Sequence, residues 1–294
     1  MSAQAFVLID GLLLPDALKT LYGRGETLEI DPLYLGTRWD GLKDKGPILV
    51  QASDHLRDEW QQQDHWQACS CLLHSPAPRS AIIGHLRHFI CPPDHLGNAS
   101  LLRFADPLVL HFWLASQEQA HRNRTLGPIE RVQVASPRQP WHPEPATAMA
   151  GITTFAIDGD PYQWQSRFAV QGPAQLEAFE HAFDFLFKRR LHAWITRLTP
   201  TAFADQRPEQ IDAWLDEVLR SGRDWGLVSE FALATWAEYS HTLGQDFTTS
   251  AGGDWQRWLT EHPTPLCPAP EQQLDAFDLY RERRTTQELT DGKP

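Results

Sequence analysis

Five side chains in this sequence have the types and positions that chemistry needs. Asp10 closes the apolar run "AFVLI", the strand end at which an α/β enzyme keeps a catalytic carboxylate. His85 and His88 lie three residues apart in "IIGHLRHFI", so on a helix they share a face. Arg103 and Asp106 sit in "LLRFADPLVLHFWL", at the entry to an apolar helix. Asp10 with either histidine could serve acid–base work in an α/β hydrolase or transferase with an unrecognised active site. With His55, His65 or His95 the histidine pair could in principle hold zinc. Each group also has a plainer reading. Asp10 precedes Gly11, and Asp-Gly is turn chemistry. Two histidines at this spacing arise by chance, and no carboxylate completes a ligand set. Asp106 before Pro107 is a helix-start signal, because the carboxylate accepts backbone N–H groups and proline has no N–H to lose there. Arg103 then pairs with Asp106 or with a partner's carboxylate. Nothing here supplies a nucleophile, a base and an electrophile together, so the sequence offers no catalytic, cofactor or metal site.

The surrounding elements must position these groups. "AFVLI", "PILVQA", "WQACSCLLHS", "LLRFA" and "GPIERVQVA" read as strands. Between them, a helix follows Pro15 to about Tyr22, Ser53 caps "DHLRDEWQQQ", and "RSAIIGHLRHFI" carries Ile82, Ile83, Leu86 and Phe89 on one face. "DPLYLGTRWDGLKDKG" reads as ordered loop. Apolar strands alternating with helices predict an α/β lobe over 1–135, a parallel or mixed sheet with flanking helices. Proline density marks 136–172 as a connector, with "TTFAIDGDPYQWQSRFAV" read as a hairpin or two strands. From 173 to 262 the period becomes helical and predicts a mostly α-helical lobe. Its first helix shows a stripe of Leu176, Phe179, Phe183, Leu186, Phe187, Leu191, Trp194 and Leu198. A second ends at Gly222, and a third, nearly all apolar, covers Trp225 to Leu243. Residues 263–294 read as a C-terminal tail.

Composition narrows the function classes. Lys and Arg number 26 against 38 Asp and Glu, a net charge of -12. Nucleic acid and anionic membranes repel that balance, and the basic cluster "KRR" at Lys188 to Arg190 reads as a solvated helix face. No run reaches the roughly 20 apolar residues of a membrane span, and the first residues lack a signal peptide's basic region, so no direct membrane insertion and a cytoplasmic location are expected. The four cysteines, with Cys69 and Cys71 in "CSC", lack zinc-knuckle or CxxC spacing and read as reduced. No phosphate-binding glycine loop, dinucleotide fingerprint, nucleophile elbow or HExxH is present. Twelve tryptophans suit a core, or a groove for a protein partner. Trp39, Trp113 and Trp141, with Arg103 and Asp106, are the partner-binding candidates, and a cleft between the lobes is the expected place.

Four stretches resemble one family, the DUF4123 adaptors or chaperones of bacterial type VI secretion. They are "AFVLIDG", "DPLYLGTRWDGLKDKGPILVQA", "IIGHLRHFICPPDHLGNASLLRFADPLVLHFWL" and "RTLGPIERV", in the family's order across residues 5–135. "GLVSEFALATWAEYSHTLGQDF" extends the likeness into the helices. Ala105 stands where the family has an aromatic and Leu108 where it has arginine. The resemblance implies a non-enzymatic protein without cofactors. Such a protein binds a cognate toxic effector in the cytoplasm and promotes its loading onto the spike, valine-glycine repeat protein G. The α/β hydrolase or transferase is the runner-up, and a fixed structural subunit of a larger machine is a third possibility.

Overall fold

Two uninterrupted apolar runs, "FVLI" and "PILV", set the centre of the fold. They belong to β1 (Gln4–Asp10) and β3 (Pro47–Gln51) in a computed structural model that describes residues 3–93, 96–159, 172–263 and 269–291. Between them lie α1 (Ala17–Tyr22) and β2 (Ile30–Pro32). Then follow α2 (Asp54–Gln62), α3 (Asp64–Cys69), β4 (Ser70–Ser75), α4 (Arg79–Arg87), α5 (Pro107–Ala115) and α6 (Gln119–Leu126). After these come β5 (Arg131–Ala135), β6 (Ile152–Ala156), α7 (Pro173–Leu198), α8 (Pro208–Trp225), α9 (Glu230–Leu243), α10 (Asp254–Glu261) and α11 (Pro270–Asp291). The chain divides into two units, Met1–Asp184 and Phe185–Pro294, with the division inside α7.

In the first unit, six strands form one sheet in the order β2-β3-β1-β4-β5-β6. Every pairing is antiparallel, which corrects the expected parallel or mixed sheet. The continuous apolar runs reported burial on both faces, not strand direction. Phe6 and Leu8 of β1 enter one core with Ile82 and Leu86 of α4 and Leu110 and Trp113 of α5. Val7 and Ile9 enter the opposite core with Leu21 of α1, Leu56 and Trp60 of α2 and Trp66 of α3. The helices between β3 and β4 do return the chain to its starting end, as a parallel crossover does. However, β1 lies between those two strands, so each pairs with β1 and neither with the other.

Local signals account for most boundaries. Ser53 caps α2, its hydroxyl accepting from Leu56 N–H at 3.0 Å. Asp106 caps α5, accepting from Leu108 N–H at 2.9 Å with Pro107 in the first turn. The expected strand "LLRFA" is absent. Asp106 N–H donates to the Arg103 carbonyl at 3.1 Å, so the chain is already turning there. "WQACSCLLHS" splits into the end of α3 and β4. The expected loop after β1 contains the short strand β2. Of "TTFAIDGDPYQWQSRFAV", Thr153–Ala156 lie in β6, and the residues from 160 to 170 lie outside the described ones.

The second unit is helical, as the 3.6-residue period predicts. Gly222 does not stop α8. It lies inside the helix, where a Cβ would come within 2.9 Å of Leu233 and 3.2 Å of Trp236 on α9. The stop is Gly226, left-handed at φ 105, with Leu227 N–H returning to the Gly222 carbonyl at 3.0 Å. Trp225 therefore ends α8, and α9 begins after the cap Ser229. On α7 the expected stripe is rotated. Ala178, Ala182, Phe187, Leu191 and Ile195 are buried, whereas Phe183, Trp194 and Leu198 are exposed. The stretch expected as a tail contains α11, whose Leu274 and Phe277 are fully buried.

Candidate functional site

The polar residues of the first unit converge where β1 ends. Asp10 lies opposite Pro47 in the β1–β3 register. Its Oδ1 accepts from the N–H groups of Leu12 at 2.8 Å and Leu13 at 3.2 Å, the turn role that Asp-Gly predicts. Gly11 then donates its N–H to the Gly46 carbonyl at 3.1 Å. A Cβ on Gly11 would stand 2.6 Å from the Asp44 carbonyl oxygen, and one on Gly46 would overlap the Tyr34 ring. Both glycines are therefore required by close approach of backbone or ring.

Arg103 reaches the same point from 93 residues away. Its Nη2 lies 3.0 Å from Asp10 Oδ2 and 3.1 Å from Asp106 Oδ2. The carboxylates are 6% and 7% exposed and the guanidinium side chain 39%, so one half-exposed cation serves two buried anions. Burial raises the Asp106 carboxyl above its ordinary range, Arg103 pulls it down, and Asp10 pushes it up again. Burial also raises Tyr34, with Asp10 adding to the effect. The fully buried Cys71 thiol is pushed well up by burial and then by Asp106 and Asp10, which keeps it protonated and inert.

A second lock joins α4 to the turn before β5. His85 is 3% exposed rather than a polar position beside the helix stripe. Its Nε2 donates to the Thr125 carbonyl at 2.8 Å, and burial lowers its pKa to about 4. Gly127 has φ 56, and a Cβ there would overlap the His85 ring. Beside it, Ser75 Oγ donates to the Pro128 carbonyl at 2.6 Å. Arg87, two residues past His85, donates to the carbonyls of Leu33 at 3.1 Å and Leu35 at 2.8 Å.

The five partner-binding candidates are placed differently. Arg103 and Asp106 are brought together, with Asp10 as the member that the sequence did not connect to them. Trp113 is buried against Phe89, with ring centroids 5.1 Å apart. Trp39 is half-buried under the Arg38 guanidinium, which lies 5.0 Å from its ring and donates to Cys91 Sγ at 3.0 Å. Trp141 is half-buried beyond β5, its ring 6.4 Å from that of His142. The missing link was legible in principle. An arginine inside "LLRFA" and an aspartate ending "AFVLI" each break an apolar run, and a buried charge needs its opposite.

The residues named for catalysis or metal each have structural partners. Asp10 holds Arg103 and a turn, and His85 holds Thr125. His88 Nδ1 lies 2.7 Å from the Gly84 carbonyl on the exposed side. His55 pairs with Glu59 at 3.2 Å, His65 lies against Trp66, and His95 lies outside the described residues. Among the described residues no group of three or more His, Cys, Asp or Glu is arranged to hold a metal ion. Cys69, Cys71 and Cys91 are free thiols. Among the described residues no helix is long and apolar enough to cross a membrane.

Residues 5–124 match the family DUF4123, described as a domain of unknown function. No curated protein and no solved structure matches the chain.

Proposed function

We propose, from the premise that residues 5–124 are a DUF4123 domain, that this protein is a non-enzymatic adaptor or chaperone. It binds a cognate type VI secretion effector in the cytoplasm and promotes its loading onto the spike protein, valine-glycine repeat protein G. One observation supports this reading most. The motif residues Asp10, Gly11, Gly46, His85, Arg103, Asp106 and Gly127 are engaged in holding loops against the sheet. What those locks shape is a surface made of loops, which is the raw material of protein recognition. The balance of 26 basic against 38 acidic residues turns nucleic acid away.

Co-purification tests the reading. The tagged full chain is expressed in its native cells, pulled down at mild salt, and its companions identified, with effector loading on the spike measured in cells with and without it. A toxin-like effector in the pull-down, and its loss from the spike when the adaptor is absent, are the expected results. An effector that is equally soluble and equally loaded without this protein sinks the proposal.

A further inference from the structure

The sheet ends differently on its two sides. Along one edge runs β2, three residues long and closed by Pro32. A short strand with a proline is a blunted edge. Along the other edge runs β6, five residues without proline or charge, paired with β5 alone. The register fixes where its main-chain groups point. Ser136 N–H donates to the Gly151 carbonyl at 2.8 Å and Ile157 N–H to the Glu130 carbonyl at 3.0 Å, and both pairs lie directly opposite in the β5–β6 register. Hydrogen-bonded pairs alternate along an antiparallel ladder. Thr153 and Phe155 therefore turn their N–H and C=O groups to β5, and Ile152, Thr154 and Ala156 turn theirs outward.

Some of the outward groups are already answered. Ile152 N–H donates to the Met149 carbonyl. The Ala156 carbonyl accepts from Gln119 Nε2 at 3.0 Å. Asn123 answers both the N–H and the carbonyl of Asp158, at 3.1 and 2.9 Å. Among the described residues no partner meets the Ile152 carbonyl, the Thr154 N–H and carbonyl, or the Ala156 N–H. Thr154 and Ala156 are exposed.

This set of open groups is its own complement. Two β6 strands laid antiparallel about a two-fold axis at Thr154 set each Thr154 opposite the other, and each Ile152 opposite an Ala156. The two Thr154 residues exchange both of their bonds, and each Ala156 N–H meets an Ile152 carbonyl. The groups already used, Ile152 N–H and the Ala156 carbonyl, fall opposite each other, so neither copy leaves one unanswered. An unrelated strand in this place would bring a free carbonyl against the occupied Ile152 N–H and a free N–H against the occupied Ala156 carbonyl. Only isoleucine, threonine and alanine meet in this register, so no like charges are opposed on a protein of net charge -12.

We propose that β6 pairs with β6 of a second copy of this chain, joining two six-stranded sheets across a two-fold axis. The proposal stands apart from the adaptor reading. Sedimentation equilibrium of the full chain, from about 1 µM to about 0.5 mM, should show a monomer–dimer equilibrium. Thr154→Pro removes an outward N–H and no bond to β5, and should weaken the dimer at least about tenfold. Thr154→Lys keeps the main chain but sets two ammonium groups face to face, and should weaken it as much. Thr154→Val keeps both main-chain groups and should leave the dimer as tight as the parent's. Circular dichroism checks that each variant is folded, and if the proline variant is not, the lysine and valine variants decide. A chain that stays monomeric over this range, a dimer that Thr154→Lys leaves intact, or one that Thr154→Val weakens as much as Thr154→Lys does, overturns the proposal.

Discussion

In Met1–Asp184 the contacts that fix the loops are polar. Asp10, Asp106 and His85 are buried, and each is answered by specific donors or acceptors. In Phe185–Pro294 rings take a larger share, beside polar ties such as Glu271 accepting from the N–H groups of Val228 and Ser229 and Tyr239 donating to Asp278. Trp236, Phe247, Trp255 and Phe277 run in sequence through centroid contacts of 4.8, 5.9 and 4.8 Å. The ion pair of Arg190 with Glu230 is exposed, whereas Lys188 and Asp254 are partly buried in theirs. Directional contacts demand particular residue types at particular places, whereas ring packing accepts many arrangements of similar volume. The matched segment 5–124 lies wholly in the polar-locked unit, as this difference leads one to expect.

The comparison breaks most readily at Phe277. Phe277→Ala removes the ring that meets Tyr239, Phe247, Trp255 and Trp258, and should cost about 3–5 kcal/mol of stability in the helical unit. Tryptophan fluorescence during urea unfolding should show that loss with little dependence on pH. A strongly pH-dependent loss would show that the polar ties of Glu271 and Tyr239, rather than the rings, carry this unit.

Arg103→Ala strands two buried carboxylates and should cost about 3 kcal/mol at neutral pH, less than a fully buried pair because the guanidinium is partly solvated. Here the sign is informative. Burial places the folded Asp106 pKa above its unfolded value, so its contribution is most favourable below the unfolded value and is lost as pH rises through the folded one. Removing Arg103 raises the folded pKa further. The deficit of the variant should therefore narrow as pH falls through the Asp106 titration, measured by urea midpoints at several pH values. A constant deficit would mean that packing, not charge, was lost.

His85→Gln sharpens the second lock. Burial holds the folded His85 pKa at about 4, below the ordinary imidazole value of 6.5. Its neutral form thus supports the fold above 6.5, and that support is lost as pH falls toward about 4, amounting to about 3 kcal/mol. The glutamine variant keeps a donor for the Thr125 carbonyl and should flatten this part of the acid profile relative to the parent. Parallel profiles would remove His85 from the account. The smallest effect is expected for Ser53→Ala, about 1 kcal/mol for the lost α2 cap, read as a shift in thermal midpoint.

Much of this contrast was readable in the residues. Ser53 and Asp106 were legible as caps because a cap depends on neighbours within three residues. The helical unit was legible as helical, but the α7 stripe was misplaced. Phe183 and Trp194 are apolar enough to look buried, while Ala178 and Ala182 are small enough to lie at close contacts. "LLRFA" looked like a strand because its composition suits one. The chain turns there instead, with Asp106 N–H on the Arg103 carbonyl and the Arg103 side chain on Asp10, a partner that the segment by itself does not name. Sheet direction was illegible for a related reason. Apolar runs record two covered faces, and only the insertion of β1 between β3 and β4 distinguishes the split arrangement from a parallel one.

That insertion has a consequence for how the protein is made. β1 is synthesised before the other strands, yet its neighbours, β3 and β4, end at Gln51 and Ser75. During translation it must wait unpaired on both sides until β3 has left the ribosome, and on one side until β4 follows. The strand that holds the middle of the finished sheet is thus the one longest in need of shelter.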